Sequence, residues 1–136
     1  MPDDTNDPAA LASKLSGALK DLHRALIRSE VGDDPALANP YTMLFALIGD
    51  PRFAWMGALS ELIARIDQTV ADGETGQPGM LAGLRDEAAA LIGEGGADAA
   101  AAFRLRHLMA LQKEPEVGLA TGRLRKVLAG LVTTPR

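Results

Sequence analysis

The sequence predicts an all-α protein, a compact bundle of five to six mostly antiparallel helices. Apolar residues recur every three or four positions along most of the chain, and no segment alternates apolar and polar residues as a half-buried strand does. Ala and Leu are abundant, whereas Val, Ile, Thr and aromatic residues are sparse, which favours helix. Gly and Pro separate segments of helical length by short links, and short links place consecutive helices antiparallel.

Three predicted helices in the first half each begin at a capping residue followed by proline. An Asp or Asn side chain can accept the free backbone N–H groups of the first turn, and proline at the first helical position loses no bond it needed. These starts are Asp7-Pro8, Asn39-Pro40 and Asp50-Pro51. The first helix carries one leucine stripe and ends near Val31-Gly32, the second is short and very apolar, and the third ends at Gly73. The stripe of the first helix consists of Leu11, Leu15, Leu19, Leu22 and Leu26.

The second half predicts three more helices. The fourth helix begins at Pro78 and ends at a glycine cluster that starts at Gly93. Asp98 lies near the start of the fifth helix. The fifth helix has apolar residues on two sides, which is typical of a helix that is central or touches two neighbours. Pro115 separates it from the last helix. The two apolar sides are Phe103, Ala110 and Leu111 on one, and Leu105, Leu108 and Met109 on the other.

We expect one bundle domain at residues 8–132, preceded by a disordered acidic N-terminus at residues 1–7. The opening MPDDTNDP is acidic and polar, unlike a secretory signal, and no apolar run approaches the length of a membrane span. We therefore expect a cytoplasmic protein without a membrane partner.

The composition argues against metal, cofactor and covalent chemistry. The chain has no Cys and only two His, which excludes thiolate sites and nearly excludes multi-histidine metal sites. Neither His has a carboxylate three positions before it, so the di-iron helix motif is missing. Phosphate-binding loops, zinc-protease motifs and nucleophile elbows are also absent from the sequence. We expect no catalytic residue, no metal ligand, no cofactor and no enzymatic activity.

Charge is distributed unevenly along the sequence. Residues 1–103 carry 7 basic and 16 acidic side chains, a net charge of −9, whereas residues 104–136 carry 7 basic and 2 acidic ones, a net charge of +5. A basic terminal segment can contact nucleic acid. Because these cations have no aromatic partners for stacking, the favoured interpretation is that the basic helices lie beside acidic ones.

His23 and Glu30 are candidate binding residues at the margin of the first leucine stripe. A His and a carboxylate there could form part of a polar pocket. They are seven residues apart, too far along one helix to bond directly, so a pairing needs a third residue. The favoured interpretation of His23 is a partly buried side chain bonded to a neighbour.

Four further residues complete the candidate set. Tyr41 and Trp55 are the only Tyr and Trp, and such side chains often anchor an interface or line a pocket. With five aromatic residues in the chain, we favour core packing for both. Glu61 and Arg65 have the i, i+4 spacing at which acid and base side chains meet. The favoured interpretation is an exposed ion pair on the surface, and the alternative is a polar cluster between two helices.

The first half of the chain resembles a known family. The strings LHRALIRSE at 22–30 and NPYTMLFALIGDPRFAWMGALSELIARID at 39–67 resemble a family of short, uncharacterised, all-helical proteobacterial proteins. The segment DPRFAW followed by SELIARID is the most specific part. The resemblance implies a helical fold in a soluble bacterial protein and brings no established activity, substrate or cofactor.

Three functional hypotheses follow, in this order. The first is a non-enzymatic helical module that acts through protein contact, as a homo-oligomer such as a homodimer or with another protein, because its apolar faces exceed what a small bundle covers. The second is a small-molecule binding protein with an apolar pocket near Trp55 and His23. The third, ranked last because the overall charge repels polyanions, is weak nucleic-acid binding through the basic last helix.

Overall fold

Six helices and one single-turn segment make up most of the described chain. This computed structural model describes residues 7–32, 34–35, 38–49, 51–93 and 101–131. The segments are α1 (Pro8–Val31), α2 (Pro40–Gly49), α3 (Pro51–Ala54), α4 (Gly57–Ala71), α5 (Met80–Leu91), α6 (Ala101–Lys113) and α7 (Pro115–Gly130). No strand occurs within these ranges, which confirms the all-α bundle. Most of the expected disordered terminus (residues 1–6), the helix-start residues Asp50 and Asp98, and residue 132 lie outside the described residues.

α1 is the central helix of the bundle. Its leucines from Leu15 to Leu26 are fully buried, as the three-to-four-residue spacing predicts, and Leu11 is half-buried. α4 and α7 pack along α1, while α5 and α6 contact it over shorter stretches. Because α1 is covered by several helices, burial of its leucine stripe contributes apolar stabilisation to several interhelical contacts.

Polar pairs between helices show that α4 and α7 run antiparallel to α1. On α4, Asp67 accepts a hydrogen bond from Ser16 at 2.6 Å, and Ser60 lies 3.1 Å from the ring of His23. Residue numbers therefore fall along α4 as they rise along α1. α7 shows the same order, since Glu116 pairs with Arg28 and Arg123 pairs with Asp21.

The structure corrects the predicted third helix, which is not continuous from Pro51 to Gly73. A tight turn at Trp55 and Met56 separates α3 from α4, and the Met56 N–H donates to the Phe53 carbonyl at 3.1 Å. Gly57, a poor helix former, follows the turn. The turn brings the Trp55 ring to 5.3 Å from the Phe103 ring on α6, centroid to centroid.

The expectation that the fifth predicted helix is central or touches two neighbours is confirmed in its second form, because α6 contacts both α1 and α7, but the contacts cover only one of its two apolar sides. One side of α6, with Phe103, His107 and Ala110, is buried. Leu105 and Leu108, on the opposite side, face solvent. α6 and α7 form an antiparallel pair in which the His107 ring lies 2.9 Å from the Thr121 hydroxyl.

Candidate functional site

α2 presents an apolar stripe to solvent. Asn39 caps the helix, since its side-chain oxygen accepts from the N–H of Tyr41 at 2.8 Å. No residue of α2 is buried, and the segment 40–49 contains no charged side chain. The stripe has i, i+3, i+4, i+7 spacing and comprises Tyr41 (75% exposed), Leu44 (52%), Phe45 (72%) and Ile48 (75%).

The opposite side of α2 makes little contact with the bundle. Its main neighbour is the single turn α3, and Ala46 is its one residue that packs against the core as a partly buried side chain. The expectation that Tyr41 packs in the core is therefore wrong. α2 is an apolar helix whose larger face has no cover among the described residues.

A second apolar surface lies on α6. Leu105, Leu108 and Met109 are 60%, 52% and 56% exposed, at i, i+3, i+4 spacing. Trp55 lies beside this surface, since its ring is tilted against that of Phe103 and lines a small cavity together with Met109. We call the exposed residues of α2 and α6 the apolar surface; its members are Tyr41, Leu44, Phe45, Leu47, Ile48, Leu105, Leu108 and Met109.

The apolar surface is larger than a monomer ordinarily exposes. With about 200 Å² as the full accessible area of a large apolar side chain, the exposed fractions correspond to roughly 600 Å² on α2 and roughly 350 Å² on α6. The largest apolar patch on a typical soluble monomer is about 300–600 Å², and larger ones mark interaction sites. The α2 part alone reaches the upper end of that range.

Trp55 lies at the edge of the core, half-buried. Its indole N–H is inaccessible to water and has no hydrogen-bond partner among the described residues. A cavity of about 140 Å³ adjoins the ring and is lined in part by Glu30, Arg106 and Lys113. Because ligand pockets measure about 300–1,000 Å³, this cavity is small for an organic ligand.

The structure does not gather the six predicted binding residues into one site. Glu30 and Trp55 share the small cavity, whereas His23 lies between α1 and α4 beside Ser60. The burial of His23 lowers the pKa of its imidazole below the ordinary value. His23 thus has the geometry of a partly buried residue bonded to a neighbour.

Glu61 and Arg65 are both exposed, and Arg65 pairs with a different carboxylate. Its guanidinium donates to Glu87 on α5, with one bond at 2.9 Å. The hydrogen bond to Glu87 is the main cause that raises the pKa of Arg65, and Glu61 adds a smaller Coulombic contribution. The pair links α4 to α5, an arrangement that the i, i+4 spacing could not reveal.

One cation of the basic last helix contacts an acidic partner on α1. Arg123 lies 3.5 Å from Asp21, while Arg85 of α5 donates to the Leu128 carbonyl at the end of α7. Part of the basic segment is thus neutralised within the fold, which weakens the nucleic-acid hypothesis.

The described residues hold no cluster of three or more His, Asp or Glu side chains positioned to bind a metal ion. Across the same ranges, no helix combines the length and apolar character that a bilayer span requires. The sequence matches no protein-family model, and comparison with curated proteins and with solved structures finds no match.

The feature that sequence reasoning missed is the outward stripe of α2. The sequence shows that Tyr41, Leu44, Phe45 and Ile48 share one helical face without a charge, but it does not show that this face is exposed. Their joint exposure makes the apolar surface, rather than the cavity beside Trp55, the candidate functional site.

Proposed function

We propose that this protein is a non-enzymatic helical interaction module that forms a homodimer through the apolar surface. In this arrangement, the α2 stripe of one protomer packs against the exposed α6 residues of its partner. The observation that carries the proposal is the exposure of Tyr41, Phe45 and Ile48 on a helix without charge.

The area of the apolar surface supports a stable dimer. Each protomer exposes roughly 950 Å² on α2 and α6 together, so a symmetric pair would bury roughly 1,900 Å² in total. Stable protein–protein interfaces bury about 1,200–2,000 Å². Covering only α2 would leave the α6 residues exposed, whereas reciprocal contact of α2 with α6 covers both.

A second copy of this chain is the partner that the chemistry favours. The α2 stripe has no charged residue that would select an oppositely charged partner. A two-fold interface uses the same patch on both subunits, so residue i meets residue j and j meets i. The chain meets this requirement, because the α2 stripe of each copy can contact the exposed α6 residues of the other copy.

Sedimentation equilibrium tests the proposal. We expect the wild-type protein to show twice the 14.3 kDa chain mass at micromolar concentration. Phe45→Glu should weaken dimerisation at least about 30-fold, because it places a charge where an aromatic anchor contributes about 2–4 kcal/mol. Leu108→Glu should have a similar effect, since it lies on the facing stripe.

The matched control is Leu119→Glu on α7. Leu119 is also an exposed leucine, at 64%, but it lies outside the apolar surface, and its substitution should leave the dimer intact. A wild-type protein that stays monomeric would contradict the proposal. An effect of Phe45→Glu without one of Leu108→Glu would show that α6 is not what covers α2.

A further inference from the structure

A groove of about 690 Å³ lies between α1 and α7. Its apolar lining includes Leu11, Val127 and Leu131. Gly17 opens the α1 side, since a Cβ built there would meet no atom within 4 Å. The groove is separate from the apolar surface of α2 and α6 and does not depend on dimerisation.

The rim of the groove is basic. Lys14 on α1 and Lys126 on α7 both line it, and among the described residues no carboxylate lies within ion-pair distance of either. The acidic lining residue Asp21 is already engaged, by Arg123 at 3.5 Å and by Arg24 at 3.3 Å. Two lysines therefore remain beside an apolar floor without an anionic partner in the described structure.

From this geometry we infer that the groove binds an anionic amphiphile, a single acyl chain that ends in a carboxylate. The chain would lie on the apolar floor, and the carboxylate would meet Lys14 and Lys126. A volume of about 690 Å³ falls within the range of small-molecule pockets, about 300–1,000 Å³, which are mostly apolar with a few polar groups.

The dimensions favour a small amphiphile over a docked protein helix. The α1 lining runs from Leu11 to Asp21, which spans about 15 Å at the helical rise. A free acyl anion of medium length matches this extent and the charge of the rim.

Fluorescence of a dansyl-labelled undecanoate tests the inference on the full-length protein. We expect saturable binding of one probe per chain, displaced by decanoate. Neutral 1-decanol should displace the probe at least tenfold more weakly, and acetate should not displace it. The double variant Lys14→Glu/Lys126→Glu should reduce decanoate affinity at least tenfold and leave that of 1-decanol unchanged.

A pair of glycine variants provides the steric test. Gly17→Leu fills the groove and should abolish probe binding, whereas Gly118→Leu, at an exposed helical glycine of α7 that also has open space, should not. Both substitutions raise helix propensity, and circular dichroism checks that the fold is intact. Phe45→Glu should leave binding unchanged, which separates this site from the apolar surface.

Three results would overturn the inference. They are the lack of saturable binding, equal binding by Gly17→Leu and Gly118→Leu, and equal displacement by decanoate and 1-decanol.

Discussion

The buried imidazole of His107 makes stability depend on pH in a way that one substitution can isolate. His107 is 2% exposed, stacks against Phe103 with ring centroids 6.0 Å apart, and lies 2.9 Å from the Thr121 hydroxyl. Burial, with a smaller Coulombic contribution from Arg125, lowers the pKa of His107 from 6.5 to about 4. The folded protein therefore holds this imidazole neutral where the unfolded chain would protonate it.

The sign and size of the effect follow from proton linkage. Below pH 6.5 the unfolded chain binds a proton at His107 that the folded protein does not bind, so the free energy of unfolding falls as the pH falls towards 4. At 1.36 kcal/mol per pKa unit, the full loss from His107 is about 3 kcal/mol. Above pH 6.5 the contribution is constant.

Urea unfolding followed by circular dichroism, at intervals between pH 7.5 and pH 4, measures this loss. The variant His107→Gln should be less stable than the wild type near neutral pH, because it disturbs the contact with Thr121. Between pH 7.5 and pH 4, however, the free energy of unfolding of His107→Gln should fall by about 3 kcal/mol less than that of the wild type. His23→Gln is the matched control, since His23 is also a histidine with a lowered pKa but is only half-buried. Parallel losses in the wild type and His107→Gln would refute the reasoning.

Three further substitutions test the packing by urea unfolding at neutral pH. Leu22→Ala should lower the free energy of unfolding by about 2–5 kcal/mol because Leu22 is fully buried on α1, and a change below 1 kcal/mol would contradict its central position. Trp55→Phe should lower the free energy of unfolding by less than about 2 kcal/mol, since removal of a buried N–H without a partner in the described structure offsets part of the packing lost with the larger ring; a larger loss would contradict that offset. Arg65→Ala should cost less than about 1 kcal/mol because its ion pair with Glu87 is exposed, and a larger loss would indicate that the pair fixes α4 against α5.

The buried face of α1 could be predicted from sequence because only one face of this helix is apolar. Leu15, Leu19, Leu22 and Leu26 share one face of a helix whose other faces are largely polar, so only that face can form the core. The same reasoning holds for α7, where Val117, Leu124 and Leu128 are buried, as their spacing predicts.

The orientation of α2 could not be predicted in this way. The helix is apolar on all sides, with Ala46 facing inward while Tyr41 and Phe45 face outward, so periodicity does not select a face. Core packing was wrong for Tyr41, which the path of the chain carries away from the bundle, whereas Trp55 packs against the core as a half-buried side chain. The turn at Trp55 and Met56 separates α2 and α3 from α4, and the sequence signal for that turn is weak.

The candidate binding residues show a similar limit. Helical spacing placed His23 and Arg65 on the correct elements, but their partners, Ser60 and Glu87, lie on other helices. Those pairings depend on how α4 sits against α1 and α5, which is a property of the packed bundle. The residue pattern along one helix predicts which residues share a face, but it does not identify their partners on other helices.

The most direct test of the proposed dimer uses the lack of cysteine in the chain. Two single variants, Leu44→Cys on α2 and Leu108→Cys on α6, are mixed under mild oxidation with one of them carrying a mass tag. Reciprocal packing of α2 on α6 predicts that the mixed disulfide dimer forms much faster than either variant links to itself. Two results would contradict the account. One is a random ratio of self-linked to mixed dimers, and the other is cross-linking no faster than that of the control variant Leu119→Cys.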